Sequence, residues 1–279
     1  MQIIDGKKIA QEISEKLKIQ PMSEKIFAAI LVGDDKISEN FVKQKERVAK
    51  ELGIDFRIYK FSAELKNDEL REETRKIALL KKVGGVIIQL PLPEHINKHY
   101  ILNVIPREKD VDVLGERTLG AFYANRNLVL PPAVGTVQEI IESANWRNKF
   151  KIGNSSVAVV GRGFLVGRPI AVWLMDKVKE IGIFGREGNL SELKNYDLII
   201  SGVGKAGLIK QEMLKPGAGV IDFGYSIDEN GKIRGDLDAL QIKNYKLKIE
   251  NLWYTPTPGG TGPILVAKLF ENFYKLNCE

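Results

Sequence analysis

Apolar positions along this chain recur at two spacings. "KIFAAILVG" is a continuous apolar run of strand length, and residues 39–52 repeat their apolar positions at helical intervals. "DFRIYKF" reads as a second strand, "NDELREETRKIALLKK" as a helix, and "VGGVIIQLPLP" as a third strand closed by prolines. Continuous apolar strands between helices indicate a parallel sheet covered on both faces. After "LVLPPAVGTVQEIIESANW" the rhythm restarts. "SSVAVVGRGF" is a strand and glycine turn, and "VGRPIAVWLMDKV" is a helix. "EIGIFGRE", "YDLIISGVG", "GAGVIDFGYS" and "NLWYTP" supply four further short strands. The pattern predicts two α/β domains, residues 1–133 and 134–262, the first completed by a C-terminal helix over 263–279. "PTPGGTGP" (256–263) is then the crossing point. The N-terminal "MQIIDGKKIAQEISEKLK" is expected to enter an amphipathic helix directly, with no apolar signal-peptide core.

Composition narrows the classes. At 279 residues and 44% hydrophobic content, the chain suits an ordinary globular protein of two modest domains. No apolar run reaches the roughly 18 residues of a membrane span. A single cysteine, Cys278, excludes an internal disulfide framework and a cysteine-ligated zinc site, and it fits a reducing cytoplasm. His95 and His99 stand at i, i+4 in "EHINKHY", but no carboxylate constellation accompanies them. A solvated helix start accounts for the pair, and no metal is expected. The net charge of +6 comes from lysines interspersed with acids. With no RNP motif, zinc finger or basic run with interleaved aromatics, nucleic acid is not an expected partner. The charge surplus by itself suits a small polyanionic ligand about as well as nucleic acid and decides nothing.

"VAVVGRGFLVGRP" places Gly161, Gly163 and Gly167 between a strand and a helix. The first glycine permits a tight turn and the second lets backbone approach a pyrophosphate. The helix N-terminus supplies N–H donors and the positive end of a dipole. The alternative is a plain glycine-rich turn. Arg162 lies inside the turn, and the next strand ends in "IFGREG" with Arg186 beside Glu187. An acid there suits the ribose hydroxyls of NAD, and arginines suit the 2′-phosphate of NADP. Two arginines against one glutamate favour NADP, with NAD as the alternative.

In "SENFVKQKERVAKELG" the apolar stripe runs through Phe41, Val48 and Leu52, flanked by Val42 and Ala49, and Lys45 interrupts it. One reading is a lysine whose stem is buried and whose ammonium reaches water. The other is a desolvated lysine of lowered pKa, able to exchange protons near neutrality. Gln89 ends an apolar strand and Asp112 follows in a loop with Asp110. Both fall where open α/β sheets bind ligands, at or beyond strand C-termini.

Together these segments resemble the bifunctional methylenetetrahydrofolate dehydrogenase/cyclohydrolase family over nearly the whole chain. The motifs that carry the resemblance are "SENFVKQK", "IQLPLP", "KDVDV", "VVGRGFLVGRP", "GVGKAG", "KPGAGVIDFG" and "TPTPGGTGP", in order. The resemblance implies two α/β domains with a cleft between them, the reduced folate in the first and the dinucleotide on a Rossmann-like second. It implies that Lys45, Gln89 and Asp112 are catalytic, with Gln89 hydrogen-bonding the lysine and Asp112 gripping the pterin's amino-pyrimidine. Phe41, Leu90, Pro258, Gly259, Gly260 and Gly262 would contact substrate. Gly161, Arg162, Gly163, Gly167, Arg186 and Tyr225 would contact the dinucleotide. "PTPGGTGP" would roof the cleft, its prolines stiffening it and its glycines admitting substrate close to backbone. A cytoplasmic homodimer is implied as well.

The implied chemistry is NADP-dependent oxidation of 5,10-methylenetetrahydrofolate to the methenyl form, then its hydrolysis to 10-formyltetrahydrofolate. Some positions depart from the family pattern. Phe41 stands for a tyrosine and loses a hydroxyl, which bears on hydrolysis before hydride transfer. Val113 stands for a glycine, so a different loop backbone is expected there. Gly163 and Gly185 stand for serines, and "PPAVG" and "IFGRE" replace longer signatures. A dehydrogenase without hydrolytic activity, or a non-catalytic folate-binding homologue, is the alternative.

Overall fold

The computed structural model describes residues 1–21, 24–143, 152–244 and 250–277. Cys278 lies outside them. In chain order the elements are β1 (Gln2–Ile3), α1 (Gly6–Lys18), β2 (Ile26–Val32), α2 (Lys36–Leu52), β3 (Phe56–Phe61), α3 (Asn67–Leu79), β4 (Val83–Ile88), α4 (Lys98–Leu102), α5 (Glu116–Tyr123) and α6 (Pro132–Glu142). There follow β5 (Ser156–Val160), α7 (Gly167–Leu174), β6 (Glu180–Phe184), β7 (Leu198–Ser201), β8 (Gly219–Asp222), β9 (Ser226–Ile227), β10 (Ile233–Arg234), α8 (Ala239–Asn244), β11 (Trp253–Tyr254) and α9 (Thr261–Asn277). The chain forms two compact units. The first comprises Gln11–Pro132 and Val266–Glu279, the second Met1–Ala10 and Ala133–Leu265.

The first unit is built on a parallel sheet of order β3-β2-β4. Every residue of β2 and β4 is buried, which explains their unbroken apolar sequences. The C-terminal part of α9 closes this core. Phe27 of β2 stacks on Phe273 at 5.0 Å and meets Phe270 edge-on at 5.2 Å. A Cβ on Gly85 would stand 2.7 Å from the Phe273 ring, so a glycine is required where the helix crosses β4. Asn272, buried on the same helix, donates its side-chain N–H groups to the carbonyls of Val111 (2.9 Å) and Leu130 (2.8 Å).

The second unit carries six parallel strands in the order β1-β11-β8-β7-β5-β6. From β5 the chain moves to β6 on one side and β7 on the other, the strand-order reversal at which open α/β sheets bind ligands. The first ten residues differ from expectation. They belong to this unit rather than to the first, because Gln2 and Ile4 donate to the carbonyls of Leu252 (2.8 Å) and Tyr254 (2.9 Å) beside β11. A two-residue strand is too short to display a period, so the sequence pattern shows only the helix behind it. The hairpin of β9 and β10 escapes the pattern for the same reason.

Candidate active site

In the first unit, three elements converge on one side-chain set. α2 starts on an Asp35 cap, whose carboxylate accepts the Ser38 N–H at 2.8 Å, and stops at Gly53, whose φ of 72° suits a residue without Cβ. Its buried residues are Ser38, Val42, Ala49 and Leu52, with Phe41, Lys45 and Val48 partly buried. The buried face is therefore centred one position away from the expected stripe of Phe41, Val48 and Leu52. Lys45 lies on this inward face, one turn after Phe41.

The ammonium of Lys45 does not run out to water. It donates to Oε1 of Gln89 at 2.9 Å. The Gln89 N–H donates to the Ile30 carbonyl, continuing the β4–β2 ladder, and its Nε2 donates to the Leu90 carbonyl at 2.7 Å. An ammonium has only donors, so the amide must turn its oxygen towards Lys45, and the bond to Leu90 fixes that orientation. Burial holds the Lys45 pKa below the ordinary lysine value, with the charge of Asp112 acting in the opposite direction.

Asp110 and Asp112 are two residues apart and differ completely. Asp110 is 2% exposed, and its carboxylate accepts the N–H groups of Leu114 and Gly115, the latter at 2.8 Å. It builds the loop. The Asp112 carboxylate is partly buried, and among the described residues no protein donor bonds to it. Burial pushes its pKa up to about 6, against the pull of Lys45 and with a contribution from Asp110. Asp112 is thus an acceptor held beside a lysine and available to a ligand. Val113, next to it, has a φ of 57° and is fully buried. This is the left-handed conformation that a glycine takes most easily, adopted here by a β-branched residue.

In the second unit, Gly161 ends β5 with a φ of 100°, and its N–H donates to Phe184. A Cβ on Gly167 would lie 1.9 Å from the Gly161 carbonyl oxygen, so the turn requires glycine at both positions. Gly163 has nothing within 4 Å of where its Cβ would be. Its backbone faces open space, as a turn that receives a pyrophosphate requires. The Arg162 side chain folds across Gly185, where a Cβ would stand 1.8 Å from the guanidinium. The guanidinium therefore occupies the space that any side chain at 185 would need. Arg186 is exposed just beyond it, and Tyr225 follows β8, 39% exposed.

"PTPGGTGP" belongs to the second unit up to its helix. Gly259 has a φ of 96°, and a Cβ on Gly260 would stand 2.4 Å from the Pro256 carbonyl. Gly6 packs against Gly260 so closely that a Cβ on Gly6 would stand 1.7 Å from the Gly260 carbonyl oxygen. Pro258 is exposed, Gly262 has open space around it, and Pro263 sits in the first turn of α9. His95 and His99 do not share a helix start: α4 begins at Lys98 behind an Asn97 cap, and His95 lies before it, near the Leu65 carbonyl.

Sequence patterns miss a second carboxylate pair. Asp222 and Asp236 are 1% and 0% exposed. Asp222 accepts from Gly224 N–H (2.7 Å) and Leu237 N–H (2.9 Å), and burial pushes its pKa up to about 6. Asp236 accepts from Ser201 Oγ (2.6 Å), Val203 N–H (2.8 Å) and Lys205 N–H (2.7 Å). Thr255 and Thr261 tie the backbone of Asp222 to the 255–261 loop at 2.8 Å each. The available signal was an aspartate closing the apolar run "GVID".

The strand order and the glycine turn at its reversal define the second unit as a Rossmann-like dinucleotide-binding unit, and the first as an α/β unit with a lysine–amide–carboxylate set. Residues 4–112 match the tetrahydrofolate dehydrogenase/cyclohydrolase catalytic domain, and residues 132–279 the NAD(P)-binding domain of the same family. The bifunctional protein FolD of Staphylococcus aureus is 31% identical over 278 residues, covering 97% of this chain and 94% of that protein. The structure is similar to bifunctional FolD of Campylobacter jejuni, with a TM-score of 0.91 at 30% identity, covering 99% of this chain and 98% of that one. It is also similar to the Trypanosoma brucei dehydrogenase-cyclohydrolase complexed with NADP and inhibitor, with a TM-score of 0.87 at 25% identity, covering 98% and 96%. The chain belongs to the tetrahydrofolate dehydrogenase/cyclohydrolase family. It is a two-unit α/β member with an NAD(P)-binding domain. Among the described residues, no helix is long and apolar enough to cross a membrane.

Proposed function

We propose that the protein oxidises 5,10-methylenetetrahydrofolate with NADP and hydrolyses the resulting methenyl form to 10-formyltetrahydrofolate. The first unit would bind the folate and the second the dinucleotide. The observation that carries this reading is the 2.9 Å bond between Lys45 and Gln89, with an available carboxylate on Asp112 close enough to act on the lysine.

Asp112 accepts the paired N–H donors of the amino-pyrimidine, which favours its ionised form and orients the pterin. Leu90 and Phe41 would contact the folate beside Lys45. The dinucleotide supplies one function when bound: its nicotinamide accepts the hydride from the methylene carbon. Gly161, Gly163 and Gly167 would hold its phosphates. Arg162 and Arg186 would take the 2′-phosphate, which supports NADP over NAD, and the NADP complex of the trypanosomal relative agrees with this choice. Tyr225 and the 258–262 segment would lie along the bound ligands.

Hydrolysis needs two proton movements. Water adds to the cationic methenyl carbon, and its first proton goes to the neutral amine of Lys45. The carbon–N5 bond then breaks as the remaining O–H proton leaves. N5 gains one proton, the formyl group stays on N10, and one proton passes to solvent. A desolvated lysine of lowered pKa can take and return a proton near neutrality. Gln89 holds the amine in place throughout, and burial keeps the neutral form accessible.

The test is to supply methylenetetrahydrofolate with NADP or NAD in parallel and follow methenyl absorbance. Appearance followed by accelerated decay is expected, faster with NADP. Appearance without accelerated decay reduces the function to a dehydrogenase, and no appearance with either dinucleotide overturns the proposal. We further propose a cytoplasmic homodimer. Its support is family resemblance and the outer edge of β6, which pairs with no further strand among the described residues and where Ile183 is 51% exposed. Light scattering on the purified protein tests the dimer.

A further inference from the structure

We propose that Asp236 is a positioning residue for the dinucleotide site, acting through the segment that follows β7. The inference rests on the NAD(P)-binding reading of the second unit.

Asp236 is fully buried, and both its oxygens are committed to one stretch of chain. Oδ2 accepts from Ser201 Oγ and Val203 N–H, and Oδ1 from Lys205 N–H, all within 2.6–2.8 Å. That stretch lies against the glycine turn. A Cβ on Gly161 would stand 3.1 Å from the Gly202 carbonyl oxygen and 3.3 Å from Val203 Cγ2, and one on Gly202 would stand 2.7 Å from Val166 Cγ1. The floor under the turn is thus the segment that Asp236 holds.

The carboxylate is itself fixed from two sides. Asp222 accepts the N–H of Leu237, the residue after Asp236. Gly224 approaches so closely that a Cβ there would meet Asp236 Oδ1 at 2.3 Å. The C-terminal ends of β7 and β8 are therefore joined through the two carboxylates, Asp236 holding the segment after β7 and Asp222 holding Leu237. They lie on the side of the sheet where a dinucleotide binds.

A carboxylate is needed because three donors converge on two oxygens. Asparagine has the same shape but would turn an NH₂ group towards a donor, leaving the N–H of Val203 or of Lys205 without its acceptor. From the size of a hydrogen bond to a carboxylate, Asp236→Asn should raise the NADP dissociation constant about tenfold. Ser201→Ala removes one of the three bonds and should raise it about threefold, within the range for a single hydrogen bond.

The experiment measures NADP binding by titration calorimetry on the purified full chain, without folate. It also measures hydrolysis of added methenyltetrahydrofolate, which consumes no dinucleotide. The expected result is weaker NADP binding and a raised KM for NADP in both variants, with hydrolysis and the folate KM at wild-type values. An unchanged NADP dissociation constant in folded Asp236→Asn overturns the proposal. If Asp236→Asn does not fold, Ser201→Ala decides. A loss confined to NADP binding supports the role, and an unchanged constant, or equal losses in binding and hydrolysis, overturns it. Wild-type protein that binds no dinucleotide would instead refute the functional reading beneath it.

Discussion

Replacing Asp112 by asparagine should stabilise the protein while disabling it. Asp112 ionises at about 6 rather than 3.8 because burial disfavours its charge more than Lys45 favours it. The native state therefore binds the proton more tightly than the unfolded chain. Its stabilising effect is complete below about pH 3.8 and is lost as pH rises through 6. A difference of about two pH units, at about 1.4 kcal/mol each, sets a ceiling near 3 kcal/mol for the cost of the charge at neutral pH. The side chain is partly exposed, so about 1–2 kcal/mol is the reasonable expectation after screening. Asp112→Asn carries no charge to bury. It should melt several degrees above wild type at pH 7.5, and the gain should vanish by pH 4. The folate KM should rise by about a hundredfold, because a bidentate, charge-assisted acceptor is lost. Thermal melts from pH 4 to 8 and folate saturation curves measure both. A variant that melts below wild type at pH 7.5, or that binds folate normally, refutes the reasoning.

Other changes follow from the same geometry. Phe41→Tyr restores a hydroxyl one turn before Lys45 and should raise the hydrolysis rate with little effect on methenyl formation; absorbance decay of added methenyltetrahydrofolate reads this. Asn272→Ala leaves the buried carbonyl of Val111 and the partly buried carbonyl of Leu130 without the Asn272 donor. It should cost about 2–4 kcal/mol in denaturant unfolding and raise the folate KM, since Val111 precedes Asp112.

The parallel strands were legible because burial on both faces leaves unbroken apolar runs, as in "IFAAILV" and "VGGVII". Lys45 was legible as an anomaly on an inward face, although its stripe is centred on Ser38, Val42 and Ala49 rather than on Phe41 and Val48. Spacing could not show that Lys45 meets Gln89, since 44 residues separate them and only the folded sheet brings a side chain of α2 to the residue that follows β4. Asp236 was invisible for a related reason. Its three donors come from a segment more than 30 residues earlier, and its own neighbourhood, "RGDLD", reads as an ordinary polar turn. Val113 shows the converse limit: the backbone is left-handed although the residue type argues against it, in a loop whose next two N–H groups bond to Asp110.

Lys45→Met provides the most direct measurement of the central assignment. Methionine preserves the length of the stem and removes the exchangeable proton. General acid–base catalysis contributes about 10²–10⁴ in rate, so hydrolysis of methenyltetrahydrofolate should fall by that factor while the variant still binds the folate. Lys45 is held below its ordinary pKa, so wild type carries a charging cost at low pH. That cost fades as pH rises from the lowered value towards 10.5, and the stability of the variant relative to wild type should decline over the same window. A hydrolysis rate unchanged in Lys45→Met would contradict the account.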